Sequence, residues 1–190
     1  MTITKITDNL YLGSYHDIIN KLYVELNINV IINFATECNN LSIDDNLIYY
    51  KFDYDDDPSE NLYHNFNNVS TIINDLIISK KNVLLHCYAG KSRSVTFIIA
   101  YMMKYMNYDL LTAYNYIKKL RNIYPNIGFI NQLIRYEKEL SGKITLDYDN
   151  FVVKYIHDNV NSNILIDQIK LIYESSNKDI SLTIDKIFSL

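Results

Sequence analysis

An α/β layered domain followed by a helical C-terminal extension is the fold class this sequence predicts. Short β-branched runs alternate with amphipathic helical patterns up to about residue 140, and from residue 143 only helical spacing remains. The composition fits one sizeable core plus an appendage: 190 residues, 48% hydrophobic and 21% charged.

Leu10-Tyr11-Leu12-Gly13 reads as a short strand closed by a glycine turn. Ile18, Ile19, Leu22, Val24 and Leu26 predict a helix over Tyr15–Leu26. Val30–Phe34 and Leu47–Phe52 are β-branched or aromatic runs of strand length. Asp53–Ser59 is an acidic loop, and Pro58-Ser59 offers a helix start near Glu60. Phe66, Val69, Ile72, Ile73, Leu76 and Ile77 keep helical spacing after it. Val83-Leu84-Leu85 is apolar on both faces, as a central strand requires. A loop from Cys87 to Arg93 leads into an apolar helix, Ser94–Met106, and further helices are expected at Leu110–Arg121 and Ile127–Leu140. Ser141-Gly142 marks a boundary, giving domains 1–142 and 143–190.

A net charge of −4 argues against a protein whose main work is gripping nucleic acid. Two cysteines, Cys38 and Cys87, are too few for a secreted disulfide framework. The N-terminus lacks an apolar signal segment, and the longest apolar stretch, Val95–Met106, is too short to span a bilayer. The expectation is a cytoplasmic protein in a reducing compartment, with no membrane and no nucleic-acid partner.

The segment His86-Cys87-Tyr88-Ala89-Gly90-Lys91-Ser92-Arg93-Ser94 lies between a buried strand and a helix. A phosphate held there would meet the backbone N–H groups of Tyr88 to Ser92 and the positive end of the helix dipole. Gly90 lets the backbone curl, and the Arg93 guanidinium can hold two phosphate oxygens at once. The same field lowers a thiol's pKa, to roughly 3.5–7.5 in documented cases, making Cys87 a candidate nucleophile. The Ser94 hydroxyl can donate to the sulfur and improve it as a leaving group.

His86-Cys87-x-x-Gly90-x-x-Arg93-Ser94 resembles the signature of the cysteine-type dual-specificity protein phosphatases. Ile6–Ser14 resembles that family's opening strand and turn, Ile28–Asn33 its second strand, and Tyr124–Leu133 its late helix start. The resemblance covers about residues 3–141. It implies a central mixed sheet flanked by helices, and hydrolysis of phosphotyrosine and phosphoserine or phosphothreonine in phosphoprotein substrates, with no metal and no cofactor. It also implies a general acid from an upstream loop. Asp56 is the best fit, with Asp55 and Asp57 as alternatives. Asn126 matches an asparagine that buttresses the phosphate loop, and His86 would orient the cysteine.

Lys91 keeps a phosphoinositide substrate open, and an RNA 5′-phosphate or a phosphate-binding module without turnover are further alternatives. Ser94-Val95 after the arginine is the protein-directed form of the signature. Cys38 could pair with Cys87 on oxidation. Residues 143–190 predict helices at Tyr148–Asp158, Ile164–Ser175 and Ile180–Phe188. They faintly resemble a ubiquitin-associated-type three-helix module, without its Met/Leu-Gly-Phe loop. Packing on the catalytic domain, or on a second copy in a homodimer, is the plainer expectation.

Overall fold

The computed structural model describes residues 2–39, 44–160 and 164–189. The chain divides into two compact units, Met1–Thr145 and Leu146–Leu190.

The first unit is a central mixed sheet flanked by helices, as expected. Its strands are β1 (Thr4–Lys5), β2 (Leu10–Ser14), β3 (Val30–Asn33), β4 (Ile48–Lys51) and β5 (Val83–Cys87). Their order is β1-β2-β5-β3-β4, with β1 antiparallel to β2 and the other pairs parallel. β5 is central and wholly buried, which its unbroken apolar start, Val83-Leu84-Leu85, requires.

Side chains alternate across a strand, so each strand feeds two cores. Tyr11, Ile31 and Leu84 point to one face and pack with Ile18, Tyr23 and Ile28. Ile18 belongs to α1 (Tyr15–Ile19), which ends well short of the helix expected to Leu26. Its N-terminus is closed by a capping box between Ser14 and Asp17. After the cap at Asn20 the chain leaves the helical region, with Lys21 at φ +52 and Asn27 at φ +49. Turns bring Tyr23 and Ile28 inward and leave Ile19, Leu22 and Val24 exposed. The apolar residues over 18–26 therefore reflect a helix followed by turns.

The opposite face is covered by α2 (Tyr63–Ile78) and α3 (Arg93–Tyr105), with α4 (Leu110–Leu120) and α5 (Ile127–Ser141) packed around α3. Phe97 of α3 stacks on Phe34 at a centroid distance of 4.3 Å and meets Phe66 of α2 edge-on at 5.6 Å. Buried Glu137 of α5 accepts hydrogen bonds from Leu110 N, Thr145 N and Thr145 Oγ1 at 2.6–2.8 Å. That carboxylate ties the start of α4 and the end of the unit to α5, its desolvation offset by three donors.

The second unit holds α6 (Tyr148–Asn159), α7 (Ile166–Ser175) and α8 (Ile180–Phe188). Leu146, Val152, Val153, Ile156, Val160, Ile169, Tyr173 and Ile187 are buried in it. Asp147 and Asp179 cap α6 and α8 by accepting from Asn150 N and Leu182 N. No helix among the described residues is long and apolar enough to cross a membrane.

Candidate active site

β5 ends on Cys87 and α3 begins on Arg93, so the residues between reverse direction at the carboxyl edge of the parallel strands. Open α/β sheets bind their ligands at that edge. Gly90 makes the turn with φ +64, and a Cβ there would lie 2.2 Å from the Gly13 carbonyl oxygen. A larger residue would be strained by its φ and would collide with β2.

The loop's carbonyls all point outward. Tyr15 N–H donates to Tyr88 O at 2.9 Å and Tyr124 N–H to Lys91 O at 2.8 Å. Arg121 donates from Nε to Gly90 O at 2.9 Å and from Nη2 to Ala89 O at 3.4 Å. In a trans peptide a carbonyl and the next N–H point opposite ways, and no described peptide bond is cis. The N–H groups of Ala89, Gly90, Lys91 and Ser92 are therefore turned into the loop's interior, beside the N-terminus of α3. Together they form a seat for an anion.

Cys87 is buried, and Ser94 Oγ donates to its Sγ at 3.3 Å. His86 is also buried, with Nδ1 3.3 Å from the Cys87 carbonyl oxygen. Burial pushes the His86 imidazole down to about 4, so the ring is neutral near pH 7. The Tyr88 side chain leaves the loop, 49% exposed, and stacks on Tyr15 with centroids 6.1 Å apart.

Arg93 is 3% exposed, yet its guanidinium is aimed by three hydrogen bonds. Nη1 donates to Glu37 Oε2 at 2.6 Å and to the Tyr54 carbonyl at 2.8 Å, and Nη2 donates to Glu37 Oε1 at 2.5 Å. Its Nε is buried without a hydrogen-bond acceptor and lies 3.7 Å from Asp56 Oδ2. Burial, the largest single influence, would lower the arginine's pKa, but the Glu37 hydrogen bonds together with the nearby Cys87, Glu37 and Asp56 groups outweigh it and raise it. In return, the hydrogen bonds from Arg93 hold the Glu37 carboxyl below the usual carboxylate range.

Of the three candidate acids, the structure brings Asp56 against the loop. Its Oδ1 accepts from Ser92 Oγ at 2.7 Å and from Asn126 Nδ2 at 2.9 Å. Asp57 instead closes a turn by accepting from Ser59 N and Oγ, and Asp55 is exposed. Asn126 joins the two parts of the site, since its N–H also donates to Ser92 Oγ at 3.2 Å. Ser92 thus gives its hydroxyl to the acid and its amide to the anion seat.

Sequence reasoning missed Glu37, Arg121 and Gln132. Glu37 carried one signal: an acid a few residues beyond the end of β3, the strand beside β5. Gln132 lay inside the Tyr124–Leu133 stretch that resembles the family's late helix start but had no role assigned, and Arg121 carried no signal, because the end of an ordinary helix predicts an exposed polar residue there. Cys38 is buried, and burial, then the Glu37 charge, push its thiol up to about 11. Both cysteines are free, and a protonated thiol is a poor partner for disulfide exchange. No cluster of His, Cys, Asp and Glu able to hold a metal ion occurs among the described residues.

The chain matches the family model for the dual specificity phosphatase catalytic domain over residues 10–139. The 123R protein of Invertebrate iridescent virus 6 is 40% identical over 142 residues, spanning 74% of this chain and 96% of the viral one. Human dual specificity protein phosphatase 18 is 35% identical over 158 residues, 82% of this chain and 84% of its own. Among solved structures, the human tyrosine phosphatase-like serine/threonine/tyrosine-interacting protein superposes with a TM-score of 0.67 at 29% identity. That match covers 73% of this chain and 97% of the human one. Human DUSP28, at 22% identity and a TM-score of 0.68 over 74% of this chain and 95% of its own, shares the fold.

Proposed function

This chain belongs to the dual specificity phosphatases, and from that premise we propose that it hydrolyses phosphotyrosine and phosphoserine or phosphothreonine in proteins through a phosphocysteine intermediate. The observation that carries the reading is the convergence of Cys87, Arg93 and Asp56 on one anion seat.

The phosphoryl group sits on the N–H groups of Ala89 to Ser92, with the guanidinium of Arg93 holding its oxygens. The Cys87 thiolate attacks phosphorus, and the bond to the ester oxygen breaks as the S–P bond forms. Asp56, protonated, gives its proton to the departing oxygen. Because Oδ1 is engaged by Ser92 and Asn126, Oδ2 is the atom that faces the leaving group. In the second step the Asp56 carboxylate takes a proton from water, whose oxygen attacks phosphorus. The S–P electron pair returns to sulfur, where the Ser94 hydroxyl stabilises it, and inorganic phosphate leaves. No step calls on a metal ion or cofactor, and the chemistry suits the reducing cytoplasm, where the thiol stays free.

The domain boundary belongs to the same reading: residues 1–142 carry catalysis and 143–190 form a helical extension. Hydrolysis of p-nitrophenyl phosphate in EDTA, compared between the full chain and Cys87→Ser, tests the proposal. It expects turnover by the first and none by the second. Equal rates in both proteins would refute it, and no turnover in either would favour a phosphate-binding module.

A further inference from the structure

The loop that carries Asp56 lies along the first turns of α5, held at several points. At its start, Asn126 Nδ2 holds Asp56 Oδ1. Next, a Cβ on Gly128 would lie 1.9 Å from the Pro58 carbonyl oxygen and 2.6 Å from the Pro58 Cα. Gly128 does not have a positive φ, so close backbone approach, and not conformational freedom, is what requires glycine there. At the far end, Gln132 Nε2 donates to Glu60 O at 2.8 Å, and its Oε1 accepts from Leu62 N and Tyr63 N, each at 2.9 Å.

Those last two N–H groups open α2, whose N-cap residue Leu62 supplies no side-chain cap. A helix start leaves its first N–H groups without intrahelical acceptors. Gln132 therefore supplies from another helix the cap that the local sequence lacks. One amide side chain ties down both the end of the acid loop and the start of α2. The loop's two ends are thus fixed by Asn126 and Gln132, and its middle rests where α5 has no side chain.

We propose that Gln132 and Gly128 are positioning residues for proton donation, holding the Asp56 loop in its working place before substrate arrives. This rests on Asp56 being the general acid. Neither residue touches the reacting atoms; each acts through the loop backbone. A loop fixed this way donates its proton without first closing over the substrate.

The test is kcat/KM of the full chain for two aryl esters, phenyl phosphate and 2,4-dinitrophenyl phosphate. The first needs its leaving oxygen protonated and the second barely does. General acid catalysis contributes about 10²–10⁴-fold, so Asp56→Asn should lose on the order of 100-fold on phenyl phosphate and far less on the dinitrophenyl ester. Gln132→Ala should show the same selectivity in weaker form, about tenfold on phenyl phosphate and less than about twofold on the other, as partial loss of acid catalysis requires. Gln132→Glu, which keeps the acceptor for Leu62 N and Tyr63 N, should recover part of the loss. Gly128→Ala displaces the Pro58 backbone without removing a hydrogen bond from Gln132, so it gives the same reading if Gln132→Ala does not fold. An equal fall on both esters, or no fall on either, in folded variants of Gln132 and Gly128 would overturn the proposal. A selectivity absent from Asp56→Asn would remove the acid assignment, and this inference with it.

Discussion

Arg93 and Glu37 hold each other through two parallel hydrogen bonds, Nη1 to Oε2 at 2.6 Å and Nη2 to Oε1 at 2.5 Å. The arginine is buried and the glutamate half exposed, so the pair fixes the guanidinium's direction more than it adds stability. Glu37→Gln keeps one acceptor and loses the charge. Inorganic phosphate should then inhibit about tenfold more weakly, because a planar fork that is no longer aimed recognises oxygens less well. The depressed Glu37 pKa gives the pair's contribution a sign: it is present above the ordinary carboxylate value and lost only as pH falls through the lower, folded one. Titrating phosphate inhibition in both proteins checks this, and an unchanged inhibition constant in Glu37→Gln would count against it.

His86 is buried neutral, with a folded value of about 4 against an ordinary 6.5. Burial is the main cause, opposed first by the hydrogen bond to the Cys87 carbonyl and then by Asp17, while Lys51 and Arg93 push the same way as burial. A base whose folded pKa is depressed stabilises the fold above its unfolded value, and loses that contribution as pH falls between the two. The difference is worth about 3 kcal/mol, an upper bound for a group of this burial. Urea midpoints measured from pH 7 down to pH 4 should fall more steeply for the native chain than for His86→Gln. Parallel profiles would contradict the neutral, buried imidazole.

Ser94 Oγ donates to Cys87 Sγ at 3.3 Å, an interaction that matters most when sulfur departs from phosphorus. Ser94→Ala should slow breakdown of the phosphoenzyme by about tenfold, the low end of what one hydrogen bond to a charged atom contributes, while its formation changes little. Rapid mixing with p-nitrophenyl phosphate should then show a burst of p-nitrophenol that the native chain lacks. A lower rate without a burst would place the hydroxyl's effect on the first step.

Gly90→Ala combines a positive φ with a Cβ 2.2 Å from the Gly13 carbonyl oxygen. The strain alone costs about 1–3 kcal/mol, and relieving the clash moves the anion seat. Phosphate binding followed by calorimetry should be lost at temperatures where circular dichroism shows the variant still folded. Retained binding would mean the loop tolerates a side chain there.

What the sequence made legible follows contiguity. Cys87, Gly90, Arg93 and Ser94 act within one strand-loop-helix segment, so their chemistry is written in consecutive letters. Asp56 was less distinct, because one residue either way changes what an exposed loop acid touches; only the geometry of Ser92 and Asn126 separates it from Asp55 and Asp57. Glu37, Arg121 and Gln132 act across 56, about 31 and about 70 residues of chain, and nothing in their own neighbourhoods announces the partner. The fold was legible for the same physical reason in reverse. Val83–Leu85 and Val30–Ile32 are apolar on both faces because they are buried on both faces. The helix expected over residues 15–26 overran because Tyr23 and Ile28 reach the core through turns, an arrangement that helical periodicity does not separate from a helix.

In the proposed mechanism the sulfur of Cys87 carries the phosphoryl group between the two steps. Acid quench of Ser94→Ala during turnover of p-nitrophenyl phosphate, followed by peptide mass spectrometry, tests it most directly. One phosphoryl group is expected on the peptide containing Cys87, absent from Cys87→Ser. An unmodified Cys87 peptide during steady turnover, or full turnover by Cys87→Ser, would contradict it.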